Sequence, residues 1–191
     1  MDRRRREKTD ILTGATSALG NKDTELVSAA ANGDCAAVAR LLAAGAGINC
    51  VDIRYSLTPL AAAAAASRLE TLRTLIRRGA DINAIMPSTG ETALGVAASL
   101  GHHDAVLILI KAGAKVDLTS RQCEYTPLMH AVLNGHGATA RALLAAGADP
   151  LQTSVLGCSA ASLAEGKEGS RMASLLDAHR ATPARKPRGP W

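Results

Sequence analysis

The sequence predicts an all-α solenoid, in which antiparallel helix pairs stack side by side and hairpin-like finger loops join each pair to the next. Three observations predict this fold class. A Gly-Ala pair recurs every 34 residues, from Gly45 to Gly147. Four further columns keep the same step, and each period contains two short helical patterns. With 191 residues, the chain is long enough for one continuous core shared by all copies.

The first helix of each period is predicted to begin at a threonine. A threonine side chain at a helix N-terminus accepts a hydrogen bond from a free N–H of the first turn. Pro59 and Pro127 follow two of these threonines, where a missing N–H costs nothing. The recurring columns are Thr24, Thr58, Thr92 and Thr126; Leu26, Leu60, Leu94 and Leu128; Ala29, Ala63, Ala97 and Ala131; and, in the second helix, Leu41, Leu75, Leu109 and Leu143.

The second helix of each period follows a short polar break. In the second copy it begins at Leu69 and is apolar at i, i+3, i+6 and i+7, which is typical of a helix packed on one side. A glycine then ends the helix, because glycine adopts the left-handed conformation of a C′ position with little strain. The four terminating residues are Gly45, Gly79, Gly113 and Gly147.

The composition predicts a core made of thin aliphatic layers. The chain has no Phe, one Trp and two Tyr, so Leu, Ile, Val and Ala must fill the interior. One helix pair cannot bury its leucine face alone, but stacked copies can. Each buried leucine contributes roughly 1.5–3 kcal/mol, which helps to offset the ordering entropy of the array.

The repeat resembles the ankyrin repeat in its motifs. Thr58-Pro59-Leu60 and Thr126-Pro127-Leu128, the pairs Gly101-His102 and Gly135-His136, and the runs Gly79-Ala80-Asp81-Ile82-Asn83 and Gly147-Ala148-Asp149-Pro150 carry the resemblance. It covers about residues 22–179. The predicted units are about 24–57, 58–91, 92–125 and 126–158, followed by a degenerate unit over 159–179.

Three features depart from the ankyrin pattern. Each of the first three fingers is one residue longer than usual, since the period is 34 rather than about 33 residues. Ala61, Gly95 and Met129 replace the usual histidine after Thr-Pro-Leu, so the resemblance implies no histidine ties at that position. The first and last units are degenerate, and we expect them to be solvent-facing caps.

The charge lies mainly in the two ends of the sequence. The chain has a formal net charge of +5, of which residues 2–10 contribute +2, residues 180–191 contribute +4, and residues 11–179 leave −1. We predict disordered tails over 1–21 and 180–191. The body should not attract nucleic acid, although a nucleic-acid-associated or nuclear regulatory protein that uses its basic tails stays open as an alternative.

Several features bear on the compartment. Cys35, Cys50, Cys123 and Cys158 form no C-x-x-C pair, and we expect them to be buried structural thiols. The N-terminus has no apolar signal-peptide region, and the apolar runs are too short for a membrane span. The sequence therefore predicts a cytoplasmic protein, with a nuclear one possible, and no membrane partner.

The sequence contains no recognisable catalytic set. His102 and His136 fill the Gly-His column, and with His130 and the neighbouring Asp104 they lack zinc-like spacing, so no metal is expected. Gly166-Lys167-Glu168-Gly169-Ser170 lacks the order of a phosphate loop, and no nucleophile elbow occurs. We predict no enzyme and no cofactor. Asn49 and Asn83 have a spacing similar to that of hydroxylated ankyrin asparagines, but a turn-holding role is favoured.

The resemblance implies a non-catalytic module that binds another protein, as an adaptor, scaffold or stoichiometric inhibitor. The expected surface consists of the concave face and the finger tips, whose Arg and Tyr residues are enriched at binding hot spots. A groove of Ala, Ser and Gly suits a protein segment better than a small molecule, and a monomer is expected. The predicted partner-binding residues are Arg54, Tyr55, Ile85, Met86, Leu100, Arg121, Tyr125, Leu133 and Asn134. For Tyr125, which directly precedes Thr126, packing against its own hairpin is an equally favoured alternative.

Overall fold

The computed structural model describes residues 22–52, 54–121, 124–166 and 172–176, and both predicted tails lie outside this part. Its helices follow one another in antiparallel pairs, as the 34-residue period predicts. They are α1 (22–32), α2 (Cys35–Ala43), α3 (Pro59–Ala65), α4 (Leu69–Arg77), α5 (Ala93–Ser99), α6 (His103–Lys111), α7 (Pro127–Leu133), α8 (Gly137–Ala145), α9 (Ala160–Gly166) and α10 (172–176).

The threonine column caps the first helix in the second to fourth repeats, as predicted. The prediction is wrong for Thr24, because α1 already includes residues 22 and 23 and Thr24 lies within the helix. The hydroxyl of Thr58 accepts a hydrogen bond from the backbone N–H of Ala61 at 3.1 Å. Thr92 and Thr126 form the same bond with the N–H three residues later. Because a hydroxyl here satisfies one of the N–H groups that a helix leaves free, it sets the start of the helix.

The glycine column ends the second helix of each pair. Gly45, Gly79, Gly113 and Gly147 all have φ between 87° and 94°. The alanine after each glycine donates its N–H to the carbonyl of the leucine column five residues earlier, as in Ala80 to Leu75 at 3.0 Å. This is the hydrogen bonding of a left-handed helix C-cap. The four glycines therefore occupy equivalent places in the array.

The helices form two layers. In the inner layer α3, α5, α7 and α9 contact one another in order, and in the outer layer α2, α4, α6 and α8 do the same. The leucine and alanine columns lie between the layers, and Leu75, Leu109 and Leu143 are fully buried. The core is therefore continuous from one repeat to the next.

The fingers are closed by backbone hydrogen bonds at their base. Met86 donates its N–H to the carbonyl of Glu91 at 2.9 Å, and Ser120 donates to Tyr125 at 3.0 Å. In the described part of the chain, the bridge between Thr153 and Ser159 is the only β-bridge. The loops are thus hairpin-like without a continuous ladder.

One set of side chains ties each repeat to the one before it. The Nε2 atoms of His102 and His136 lie 2.9 Å and 3.1 Å from the carbonyl oxygens of Ala65 and Ser99. Arg68 occupies the same column one period earlier and donates its Nε–H to the carbonyl of Ala31 at 3.0 Å. The positions after Thr-Pro-Leu carry no histidine to join neighbouring repeats. Side chains of the Gly-His column make hydrogen bonds between repeats instead.

A second set of ties joins the turns that lead into the fingers. The side-chain oxygen of Asn49 accepts a hydrogen bond from the N–H of Asp81 at 2.8 Å, and Asn83 accepts one from Lys115 at 2.9 Å. Asp117 accepts the equivalent bond from Asp149 at 3.2 Å. The expected role of the asparagines in holding a turn thus extends to the neighbouring repeat.

Candidate functional site

The finger tips expose large side chains on a fixed backbone. The Tyr55 side chain is 71% exposed and Ile85 is 48% exposed, while Arg54 and Arg121 are also exposed. The N–H of Tyr55 donates to the buried carboxylate of Asp52 at 3.2 Å, which holds the tip of the first finger. These four predicted residues therefore lie where a partner could contact them.

The prediction for Met86 is wrong, because its side chain is only 1% exposed. Met86 lies in a column at the finger base that points into the molecule, together with Asp52, Ser120 and Ser154, all of which are buried. Its backbone N–H and carbonyl both close the second finger. A methionine here fills the core beneath the loop, and the side chain is not available to a partner.

Tyr125 packs against its own repeat. Its ring meets the ring of His130 edge-on, with centroids 5.6 Å apart and planes at 72°, and its side chain is half-buried. Its N–H donates to the hydroxyl of Ser120 at 3.2 Å. The sequence left packing and partner contact open for Tyr125, and this geometry supports packing.

Fingers two and three are joined through Arg121. Its backbone N–H donates to the carbonyl of Thr89 at 3.0 Å. Gly90 has φ of 71°, and a Cβ atom there would lie 2.3 Å from the Arg121 nitrogen, so only glycine fits beneath this residue. The contact fixes the position from which the Arg121 side chain projects.

The predicted residues at the ends of the inner helices have different environments. Leu100 is exposed, while Leu133 is only partly exposed. The amide of Asn134 donates to the carbonyl of Ser99 at 2.9 Å, so this side chain takes part in a tie between repeats. Of the three, Leu100 presents most apolar surface.

The fourth finger exposes aliphatic residues that the sequence analysis missed. Leu156 is 68% exposed, and Leu151 and Val155 are also exposed. Residues 151–157 contain no charged side chain, which was the available signal. The prediction of a solvent-facing cap for the last unit assigned no binding role to this finger. Together with Val51, Tyr55 and Ile85, these residues form what we call the finger ridge.

His130 and Glu91 are a neighbouring pair of partly buried titratable groups. The Nε2 atom of His130 lies 3.2 Å from Oε1 of Glu91, without hydrogen-bond geometry. Burial lowers the pKa of His130, while the nearby Glu91 carboxylate acts in the opposite direction. In the described residues no three His, Cys, Asp or Glu side chains are placed to hold a metal ion.

The three described cysteines are partly exposed rather than buried as expected, and Cys50 packs against the core. Burial, and then the charge of Asp23, raise the pKa of Cys50 to about 12, which makes its thiol a poor nucleophile. The Sγ atom of Cys35 lies 3.2 Å from the hydroxyl of Thr71. Cys158 is partly exposed, and Cys123 lies outside the described residues.

The stacked helix pairs, the left-handed glycine at each end and the projecting fingers define a helical repeat solenoid. A family model of ankyrin repeats (3 copies) matches residues 26–120 and 86–154, and the chain belongs to the ankyrin-repeat family. Ankyrin repeats are generally protein–protein interaction modules and typically non-catalytic. No curated protein sequence matches the chain. None of the helices in the described part is long and apolar enough to cross a membrane.

Proposed function

We infer that the chain is a non-catalytic adaptor, scaffold or stoichiometric inhibitor that binds another protein through its finger ridge and the adjacent inner-helix ends. The ankyrin-repeat domain that carries this function extends over residues 22–179. It acts as a monomer in the cytoplasm or nucleus, and it needs no cofactor.

The observation that supports the proposal is the row of exposed apolar side chains on the fingers. Tyr55, Ile85 and Leu156 come from three different repeats, and each is close to half exposed or more. Within the described part of the chain these side chains are left exposed to water. A partner protein that covers them gains roughly 25 cal/mol for each Å² of apolar surface removed from water. Tyrosine and arginine at the same tips are typical of binding hot spots.

The inner-helix ends supply a second, smoother part of the surface. Leu100 is exposed beside a row of alanine and serine side chains, so a helix or an extended segment can lie against it. The ties made by His102 and His136 keep neighbouring repeats at fixed positions. A rigid, extended surface loses little entropy on binding.

Affinity capture followed by mass spectrometry tests the proposal. The bait is the full chain, compared with a Tyr55→Ser/Leu156→Ser variant and an Arg54→Glu/Arg121→Glu variant. A Glu25→Lys variant is the control, because Glu25 is exposed on α1, outside the fingers, the inner-helix ends and the outer helices. We expect both finger variants to lose the same captured protein and the control to keep it.

The captured protein must then bind purified chain directly, with one site per monomer. Identical partners for all variants would contradict the assignment of the surface. A variant that fails to fold is recognised by its circular dichroism before it is used as bait.

A further inference from the structure

Charge is distributed unevenly between the outer helices and the rest of the described chain. Helices α2, α4, α6 and α8, with their capping residues, carry seven basic and three acidic side chains, a formal net charge of +4. The other described residues carry four basic and nine acidic side chains, which gives −5. A charge count along the sequence does not show this separation, because every period contributes to both layers.

The cations of the outer layer form a band across neighbouring helices. The basic band consists of six exposed side chains: Arg40, Arg73, Arg77, Arg78, Lys111 and Arg141. The carboxylates of these helices lie instead in first turns or caps, at Asp34, Glu70 and Asp104. Among the described residues, Arg73 is the only member with a carboxylate in salt-bridge range, at 3.5 Å from Glu70.

An exposed leucine lies inside the band. Leu107 stands one period after Arg73 and one period before Arg141, and α6 contacts both α4 and α8. Packed helices lie roughly 8–10 Å apart, so the three side chains form a basic–apolar–basic row. Cations in the last turn of a helix interact favourably with the helix dipole. This effect does not explain the positions of Arg73 and Arg141 in the middle of their helices, or the exposure of Leu107.

We propose that the basic band binds an acidic amphipathic helix of a partner protein, with its carboxylates on the arginines and an aliphatic side chain on Leu107. Five of the six cations are arginines, whose planar guanidinium groups bind carboxylates in pairs of hydrogen bonds. A phosphate backbone or a lipid headgroup would leave Leu107 uncovered, whereas an aliphatic stripe flanked by glutamates matches both features. This site goes beyond the proposed function, because it lies on the outer helices and not on the fingers.

Fluorescence anisotropy with a defined probe tests the proposal. The probe is a labelled peptide of about five helical turns, with leucines at i, i+3 and i+4 spacing and glutamates elsewhere. A second peptide has glutamine in place of every glutamate. The protein is the full chain, an Arg73→Gln/Arg141→Gln variant, and a Lys22→Gln/Lys115→Gln control that removes the same charge outside the band and the finger tips.

We expect the glutamate peptide to bind the wild type at least about tenfold more tightly than the glutamine peptide, more so at low salt. The band variant should lose about tenfold in affinity and Leu107→Ser about threefold, while the control should change less than about twofold. Equal binding of both peptides, or an equal loss in the control, would overturn the proposal. So would displacement of the peptide by duplex DNA or by phosphatidylserine vesicles. None of these results depends on the finger ridge, so the two proposals can fail separately.

Discussion

Single backbone positions differ in how well their residues suit the conformation that the repeat imposes. The residue that ends the turn between the two helices of a pair is glycine in three repeats, at Gly33, Gly101 and Gly135. In the second repeat the same position is Ser67, with φ of 53°. The repeat geometry therefore forces one serine into a region that suits glycine.

We predict that Ser67→Gly stabilises the protein. Relief of the left-handed strain is worth roughly 1–2 kcal/mol, and the extra freedom of glycine in the unfolded chain removes part of it, which leaves about 1 kcal/mol or less. The melting temperature should then rise by about 2–4 °C for each kcal/mol gained. Ser28→Gly, at an exposed site within α1, is the control, and it should lower stability because glycine is a poor helix former.

We predict that His130 makes the protein less stable in acid. Its folded pKa lies below the usual value of 6.5, so the unfolded chain binds more protons between these two values. The contribution of the neutral His130 to the free energy of unfolding is fully present above the pKa of the unfolded chain. It decreases as the pH drops through about 6.5 towards the pKa of the folded protein. The difference in unfolding free energy between the wild type and His130→Gln should therefore change with pH in this window.

Glu91→Gln provides the matched variant for His130. Removing the carboxylate removes the influence that raises the His130 pKa, so the acid-sensitive window should extend to lower pH. Urea titrations at several pH values measure the effect. A wild type and His130→Gln pair with parallel pH profiles would count against a buried, neutral histidine.

Contacts between whole elements depend on residues that do not belong to the helical pattern. Gly101 ends the turn after α5, and a Cβ atom there would lie 2.5 Å from the ring of His136 in the next repeat. His136 in turn reaches the carbonyl of Ser99. One small residue thus permits a tie between two helix pairs.

We predict that Gly101→Ala destabilises more than Gly135→Ala. Both glycines have positive φ, of 71° and 76°, but a Cβ atom at Gly135 would meet nothing within 4 Å. The backbone strain is therefore similar in the two variants. The extra loss of unfolding free energy in Gly101→Ala, roughly 1 kcal/mol, measures the cost of displacing the His136 ring from its hydrogen bond. The urea midpoints of the wild type, Gly101→Ala, His136→Ala and Gly101→Ala/His136→Ala form a double-mutant cycle. Without the His136 ring, the cost of Gly101→Ala should fall to that of Gly135→Ala.

The whole molecule is a linear array, so its stability depends on the interfaces between neighbouring repeats. Leu75 is fully buried between the layers, and the core continues through it from α4 to its neighbours. Loss of one such side chain weakens its own helix pair and the stacking on both sides.

We predict that Leu75→Ala lowers the free energy of unfolding by roughly 2–5 kcal/mol, because it opens a cavity in the shared core. Leu107→Ala is the control at an exposed site of the next outer helix, with an expected change within about 0.5 kcal/mol. Urea unfolding followed by circular dichroism measures both. An unchanged midpoint for Leu75→Ala would refute a core that is shared between repeats.

The sequence by itself determined the period, the helix starts at Thr58, Thr92 and Thr126, and the helix ends at the glycine column. These features are local, because a hydroxyl cap and a left-handed glycine act within one turn of the chain. The same local signals placed Tyr55 and Ile85 correctly in exposed fingers. The resemblance to the ankyrin repeat followed from the same columns, and the family match agrees with it.

Only the tertiary structure decided which side of each loop faces the core and which charges share a surface. Met86 is buried and Leu156 exposed, although both lie in finger loops, because the neighbouring repeats determine the orientation of each column. The ties of Arg68 and His102 and the charge of the outer layer likewise depend on residues in neighbouring repeats. Such relations arise from stacking, and no short stretch of sequence contains them.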